Sequence, residues 1–454
     1  MAKRRGRKRK VKLPLWLSLS ILLIGVLVFG ILYLTGVITI EGLPKLSNQN
    51  KKDDTTVVTT TNNTTTNQAT TTIENINLEE GIIYDDFQIH FMMLNNSYAG
   101  DSIYIKAGEN DILIDAGSNT TSYSYTSNYI DNYCKDKKLE FVVATHGDKD
   151  HIACFPKFCN DYKIDTIIYN GLTHSESKTY TNMISAFNNE VETDGAKIRL
   201  ASDCFNNTNG AQSEYQLSDK VKMTILYNYY YFHNTTEEND YSVCLLFTYT
   251  NDGDYHYFLL TGDLEEAGEK KLSEYYDGST KEKTLPHVDL FKAGHHGSKT
   301  SSNDVLLEKI TPAMCVVCCC CGTDEYTGIT DNQFPTQEFI NRIAKWTEDV
   351  YVTTVCDSFE ILTAKQDVDS ETGELKFDKY GNPVSDKKGV SIGKQYIHSS
   401  GYKALNGNIV VSCCDLGIGL ACSNNNTKLK DSAWFNQEIV LNGVTRTLRT
   451  WPTN

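Results

Sequence analysis

Thr145-His146-Gly147-Asp148-Lys149-Asp150-His151 is the stretch that decides how this chain folds. It follows Phe141-Val142-Val143-Ala144, a short apolar run of β-branched and aromatic character that reads as a buried strand. Directly after that strand, four side chains able to bind a cation fall within six residues. On an extended backbone His146 and Asp148 point one way, while Asp150 and His151 open the next element and reach a second ion. Taken alone, the stretch reads equally well as a solvated polar loop, since Asp, Lys and Gly are ordinary loop residues.

Three more strands end in ligand chemistry. Ile112-Leu113-Ile114-Asp115-Ala116-Gly117 and Leu259-Leu260-Thr261-Gly262-Asp263 each finish on a carboxylate. Asp289-Leu290-Phe291-Lys292-Ala293-Gly294-His295-His296-Gly297-Ser298 finishes on two imidazoles. Strand ends along one edge of a sheet lie close together, so residues far apart in sequence build one site. A metal site accounts for all four ends together; a loop reading must explain each separately.

The joint motif resembles that of metallo-β-lactamase-fold hydrolases, whose signature is His-x-His-x-Asp-His, then a Gly-Asp, then a later His. Within that superfamily the chain is most similar to the hydrolase domain of ComEC-type DNA-uptake proteins. Those carry Asp at the second His position, as Asp148 does here, and a His-His-Gly-Ser like His295 to Ser298. It also resembles the cell-surface phosphorylcholine esterases. The similarity spans residues 84 to 363 and implies an α/β fold, an αββα sandwich, with two divalent cations, zinc or alternatively manganese.

The resemblance assigns metal ligation to His146, Asp148, Asp150, His151, Asp263 and His296, with Asp263 touching both ions. Asp150 would also orient the nucleophile, and His295 would support it or contact substrate. Asp115 would brace the metal loop from behind. Gly100-Asp101 match the end of a turn that stands beside the active site in ComEC-type domains. Ser298 and Lys299 lie in a turn suited to an anionic group, although Lys299 reads equally as plain surface. The chain departs from the pattern at Ala153-Cys154 (Gly-Gly in relatives) and at Phe334-Pro335 (often His-Pro). Asn239 to Phe247 lacks the third His found in other members, so oxygen ligands replace nitrogen and harder ions such as manganese gain ground.

Charge is unevenly spread. The chain has 454 residues and a net charge of -15, yet its first 52 residues hold eleven Lys/Arg against one Glu. The remainder is therefore strongly acidic and repels polyanions at long range, which weighs against a processive nucleic-acid binder but not against a small ester held by cations. Residues 1–12 read as a basic cytoplasmic tail and 13–40 as a single transmembrane helix, an uncharged run about 40 Å long. The catalytic part would then face the exterior, anchored to the cell membrane. A cleaved signal peptide is the competing account.

Residues 41–80, rich in Thr and Asn, read as a disordered tether. The hydrolase domain is expected at 84–420, with an inserted hairpin at 366–392; residues 421–454 are left unassigned. A helix is expected from Ile152 to Asp161, another near Tyr180 to Asn188, and a third from Asn332 to Ile343. Asn408 to Ser412 is expected to join the sheet of Val350 to Thr354. The run Cys318 to Cys321 cannot gather on one metal, because neighbouring strand residues face opposite sides, so packing in a buried strand is the better reading. The implied function is a hydrolase using a cation-held hydroxide on phosphate esters of nucleic acid or cell-wall polymer. The alternatives are a phosphorylcholine or teichoic acid esterase and a catalytically silent binding module. No protein partner is predicted.

Overall fold

The computed structural model describes residues 78–453. The expected tail, the expected transmembrane helix and nearly all of the expected tether lie outside them; among the described residues no helix is long and apolar enough to cross a membrane. Residues 78–80, placed in the tether from sequence, instead form a strand. They pair in parallel with Ile418 to Leu420, and Leu78 packs on the central core.

In chain order the first strands are β1 (Leu78–Glu80), β2 (Phe87–Phe91), β3 (Ile103–Ala107), β4 (Asn110–Ile114), β5 (Lys138–Ala144), β6 (Lys163–Tyr169) and β7 (Lys197–Leu200). There follow β8 (Glu214–Gln216), β9 (Val221–Ile225), β10 (Leu245–Asn251), β11 (Asp254–Leu260), β12 (Leu290–Lys292) and β13 (Met314–Cys321). The last of the two large sheets are β14 (Val350–Thr363), β15 (Gln395–Ala404), β16 (Ile409–Cys414) and β17 (Gly417–Cys422). One sheet runs β1-β17-β16-β2-β3-β4-β5-β6-β7 and the other β15-β14-β13-β12-β11-β10-β9-β8. Glu438–Leu441 and Val444–Thr447 add a separate hairpin in the C-terminal segment.

The layers follow from the period-2 pattern of the strands. Ile103 and Ile105 of β3, with Ile112 and Ile114 of β4, face Leu245, Phe247 and Phe258 of the other sheet. Tyr104 and Leu113, one residue out of phase, face the opposite way, towards helices. Those helices are α1 (Ser122–Ile130), α2 (Lys149–Ile152), α3 (Phe155–Asp161) and α4 (Lys178–Thr193). After α5 (Ala201–Asn206) come α6 (Glu266–Tyr275), α7 (Asp304–Ile310) and α8 (Gln337–Ile343), whose apolar residues pack on the second sheet. The arrangement is helix, sheet, sheet, helix.

Several sequence expectations change in detail. The helix expected from Ile152 to Asp161 is broken at Ala153-Cys154, because Pro156 suits a new first turn and cannot continue the old one. The helix expected from Asn332 starts only at Gln337, where the Thr336 hydroxyl caps it by accepting from Phe339 N. Asn408 to Ser412 does not join β14: β16 pairs with β2, Ile409 opposite Phe91. Its residues Ile409, Val411 and Cys413 fill the space between the sheets from that side. The cysteine run is buried throughout, Cys318 facing the other sheet and Cys319 and Cys321 facing helices, and all 14 cysteines are free thiols.

β4-β5 in one sheet and β11-β12-β13 in the other are parallel, so their C-terminal ends gather on one side. Those are the ends that carry the ligand motifs. Phe258 on β11 has no exposed surface and meets the Phe87 ring edge-on at 5.2 Å. Phe258→Ala should therefore destabilise the fold by about 3–5 kcal/mol, read from the denaturant midpoint. Tyr380→Ala, at a residue 77% exposed, should stay within about 0.5 kcal/mol of wild type.

Candidate metal centre

Two of the strand ends leave the sheet through non-glycine residues with positive φ: Asp115 (55°) after β4, and His295 (43°) and His296 (54°) after β12. Each such residue costs on the order of 1–3 kcal/mol that the surrounding contacts must offset. The contacts are specific. Asp115 is fully buried and accepts from Thr145 N (2.8 Å), Thr145 Oγ1 (2.7 Å) and His151 Nδ1 (2.6 Å). With Nδ1 on Asp115, His151 turns Nε2 towards Asp263 Oδ2 (3.0 Å) and His296 Nε2 (3.3 Å). His296 Nδ1 donates to the Cys318 carbonyl (2.8 Å), so its own Nε2 faces Asp263 Oδ2 (3.1 Å) and Asp150 Oδ2 (3.2 Å).

Asp150, His151, Asp263 and His296 thus aim four electron-pair donors at one point. Such groups repel each other unless positive charge sits between them. Burial opposes charge on His151, yet Asp263 and Asp115 beside it hold its pKa well above the ordinary range. For His296 burial is likewise overridden, chiefly by Asp263, and Asp150 is held well below the usual carboxylate range by His296 despite its own burial. The donor spacings of 3.0 to 3.3 Å lie at or a little under the edge, about 3.3–3.4 Å, of a tetrahedron with ligand bonds of roughly 2.0–2.1 Å, the zinc–nitrogen distance. The residues fit a divalent cation.

A second, thinner donor pair stands alongside. Thr145 Oγ1 gives its proton to Asp115 and accepts from His146 Nδ1 at 3.0 Å. His146 Nε2 is left buried with no hydrogen-bond partner, 3.8 Å from Asp148 Oδ2. Burial lowers His146 to about 3, leaving a neutral imidazole ready to bind metal. Burial and the nearby Asp150 push Asp148 up to about 6. In place of a third imidazole stands Ser242, whose hydroxyl lies 3.5 Å from His146 Nδ1 and accepts from Asp263 N at 3.0 Å.

The other residues named from sequence divide. Asp101 is buried against the cluster, its Oδ1 3.5 Å from His296 Nδ1. It is delivered by Gly100, where a Cβ would lie 2.5 Å from the Asp150 carbonyl oxygen, closer than side chains permit. His295 is turned away from the cluster, its Nδ1 donating to Glu265 Oε1 at 2.9 Å. Ser298 bonds to Thr300 Oγ1 within its own turn, and exposed Lys299 reaches Asn332 Oδ1. Neither of these two meets the cluster: the turn's backbone faces inwards to be held by the protein, leaving its side chains local.

Three important residues escaped the sequence reading. Lys292 is fully buried, with Nζ on Asp101 Oδ2 (2.6 Å), Gly262 O (2.9 Å) and Asp263 Oδ1 (3.0 Å). A lysine at the end of an apolar strand looks like a surface residue, although its place beside the acid-bearing end of β11 was a signal. Glu238 clamps the metal loop by accepting from Gly147 N at 2.8 Å. Tyr326 donates to Asp150 Oδ2 at 2.6 Å from a loop with no motif to mark it.

Part of the chain is similar to known proteins. A family model described as the metallo-beta-lactamase superfamily matches residues 97–219. A curated relative, Recombination protein 2 of Haemophilus influenzae, is 33% identical over 87 residues, which are 19% of this chain and 9% of that protein. The chain therefore spans only about a tenth of that relative's length. Among solved structures, the metallo-beta-lactamase fold protein YhfI from Bacillus subtilis is 12% identical, covering 60% of this chain and 97% of its own, with a TM-score of 0.34. Human tRNase Z, short form, is 12% identical over 58% of this chain and 93% of its own, with a TM-score of 0.28. Residues 97–219 are thus similar to a domain of the metallo-beta-lactamase superfamily.

Proposed function

We propose that the chain is a membrane-anchored, metal-dependent hydrolase of phosphodiesters, with its catalytic domain outside the cell. The observation that carries the hydrolase reading is the convergence of Asp150, His151, Asp263 and His296 beside the unpartnered Nε2 of His146. Cations held there would supply Lewis-acid charge and acidify a water molecule. Zinc suits the two-imidazole, two-carboxylate set, and Asp148 adds oxygen character that would also admit manganese. Asp150 would orient the attacking water, and Asp263 would hold charge at the centre of the site. His295, turned away from the cluster and paired with Glu265, would act only by contact with bound substrate.

The substrate is read from charge. Among the described residues, the only Lys or Arg paired with the cluster's carboxylates is Lys292, which is buried beneath it. Nothing there grips a long phosphate tract, so a single ester held by cations fits better than a polyanion bound along its length. The local match to a recombination protein supports a nucleic-acid ester. The acidic charge of the chain supports the second reading equally, a cell-wall phosphorylcholine or teichoic acid esterase.

The purified full-length protein should hold up to two transition-metal ions per chain by elemental analysis; none after reconstitution would favour a silent binding module. Asp263→Asn should lower hydrolysis of bis-p-nitrophenyl phosphate by orders of magnitude, with little change in thermal unfolding of the metal-free protein. His174→Ala is the matched control, since that exposed residue contributes only its backbone N–H, to Glu238. Normal turnover by Asp263→Asn with loss in His174→Ala would refute the site. Protease added to intact cells should cut the Thr-rich stretch before residue 78; full protection there would reverse the orientation.

A further inference from the structure

The loop at residues 322–333 lies between β13 and α8, and it brings Tyr326 to the metal centre. Asp150 needs such a partner. Asp263 is fixed by Lys292 and by Ser242 through its backbone, and Asp115 by Thr145. The Asp150 carboxylate instead has two hydrogen-bond partners among the described residues, His296 Nε2 and the Tyr326 hydroxyl, both on Oδ2. A carboxylate oxygen has more than one lone pair, so Oδ2 can face a cation with one and accept the phenol O–H with another.

The loop is itself held from behind. Asp324, buried, accepts from Lys387 Nζ at 2.5 Å and from Ser399 N at 3.1 Å. Gly328 N donates to Lys388 O at 3.0 Å, and a Cβ on Gly328 would lie 2.5 Å from Lys387 Cγ and Val390 Cγ2. The segment between β14 and β15, residues 364–394, is thus seated directly on the loop that carries Tyr326. On the other side the Tyr326 ring lies 5.6 Å from Phe334, which in turn lies 5.9 Å from His296.

We propose that Tyr326 is a positioning residue for Asp150 and that the inserted segment 364–394 braces the loop that presents it. The proposal rests on the metal-hydrolase reading. It gives the insertion a task at the site although none of its residues touches the cluster. Partners of metal-ligating carboxylates orient the ligand, and their removal typically weakens metal binding by about 10–100-fold.

The test is cobalt(II) binding to the full-length protein, read as affinity in a chelator competition and as the visible absorption bands of the bound ion. Tyr326→Phe should weaken affinity by about 10–100-fold and shift the bands while the circular dichroism stays native. Lys387→Met, which breaks the brace without touching the site, should shift both readouts in the same direction by less. Lys376→Met removes an exposed pair with Asp367 within the same insertion and should change neither. Wild-type affinity and bands in Tyr326→Phe would overturn the proposal, and wild-type behaviour of Lys387→Met would overturn the brace. Failure of the unaltered protein to bind cobalt would instead overturn the hydrolase reading on which both rest.

Discussion

Everything near the centre depends on how one buried carboxylate, Asp263, is held. Its Oδ1 meets the Lys292 ammonium and its Oδ2 meets two imidazoles, with about 1% of the residue exposed. Isolated, such a charge would cost several kcal/mol to bury, so it is stable only as part of a charge-balanced group. Around it stand Asp101, Asp115 and Asp150, against the single fixed positive charge of Lys292. Positive charge from protons on His151 and His296, or from a cation in their place, balances the remaining carboxylates. The cluster is in this sense suited to a cation, and Lys292 leaves Asp263 one oxygen for it rather than two.

Much of this was legible in the chain. Ligand-bearing strand ends announce themselves because an apolar strand and a polar terminus differ sharply in composition, and the two-layer sheet architecture makes the ends converge. The strand-end positions of His146, Asp150, His151, Asp263 and His296 follow from that, while the choice of His296 over His295 and the role of Asp263 rest on the family resemblance. What was not legible has a common physical origin: it depends on which long side chain bends back. Lys292 occupies a strand-end slot that in sequence resembles a surface lysine. His295 and His296 are adjacent, and only the left-handed backbone at both sends one ring to the cluster and the other to Glu265. β16 was placed in the wrong sheet because Ile409, Val410 and Val411 suit either. The choice is made by the open edge of β2, which no residue in β16 advertises.

The cysteine run shows the same limit from the opposite direction. Four consecutive thiols suggest chemistry, yet strand alternation distributes them over both faces of β13, where they behave as small apolar groups. Burial raises the pKa of Cys315 to above the usual thiol range and does the same for Cys318 and Cys319, which keeps them protonated and unreactive. The backbone of the run matters more than its sulfur: the Cys318 carbonyl fixes the His296 tautomer.

The strained turn at His295-His296 raises the question of what keeps it from relaxing. The answer lies in the segment just after it, residues 298–303, which is gripped by two charged groups acting on main chain rather than on each other. Glu269, buried on α6, accepts from Ser302 N at 2.6 Å and Asn303 N at 2.8 Å. Arg342 on α8 donates to the carbonyls of Ser301 (2.7 Å), Ser302 (2.9 Å) and Lys299 (3.0 Å). One helix supplies the acceptor and the other the donor, so these main-chain groups of a buried irregular loop are answered without a regular ladder. Helices on the outer layer thereby fix a backbone whose only contribution to the centre is the direction of one imidazole. That is why a fold with helices outside both sheets suits this site: the sheets bring the ligands together, and the helices hold their strained exits in place.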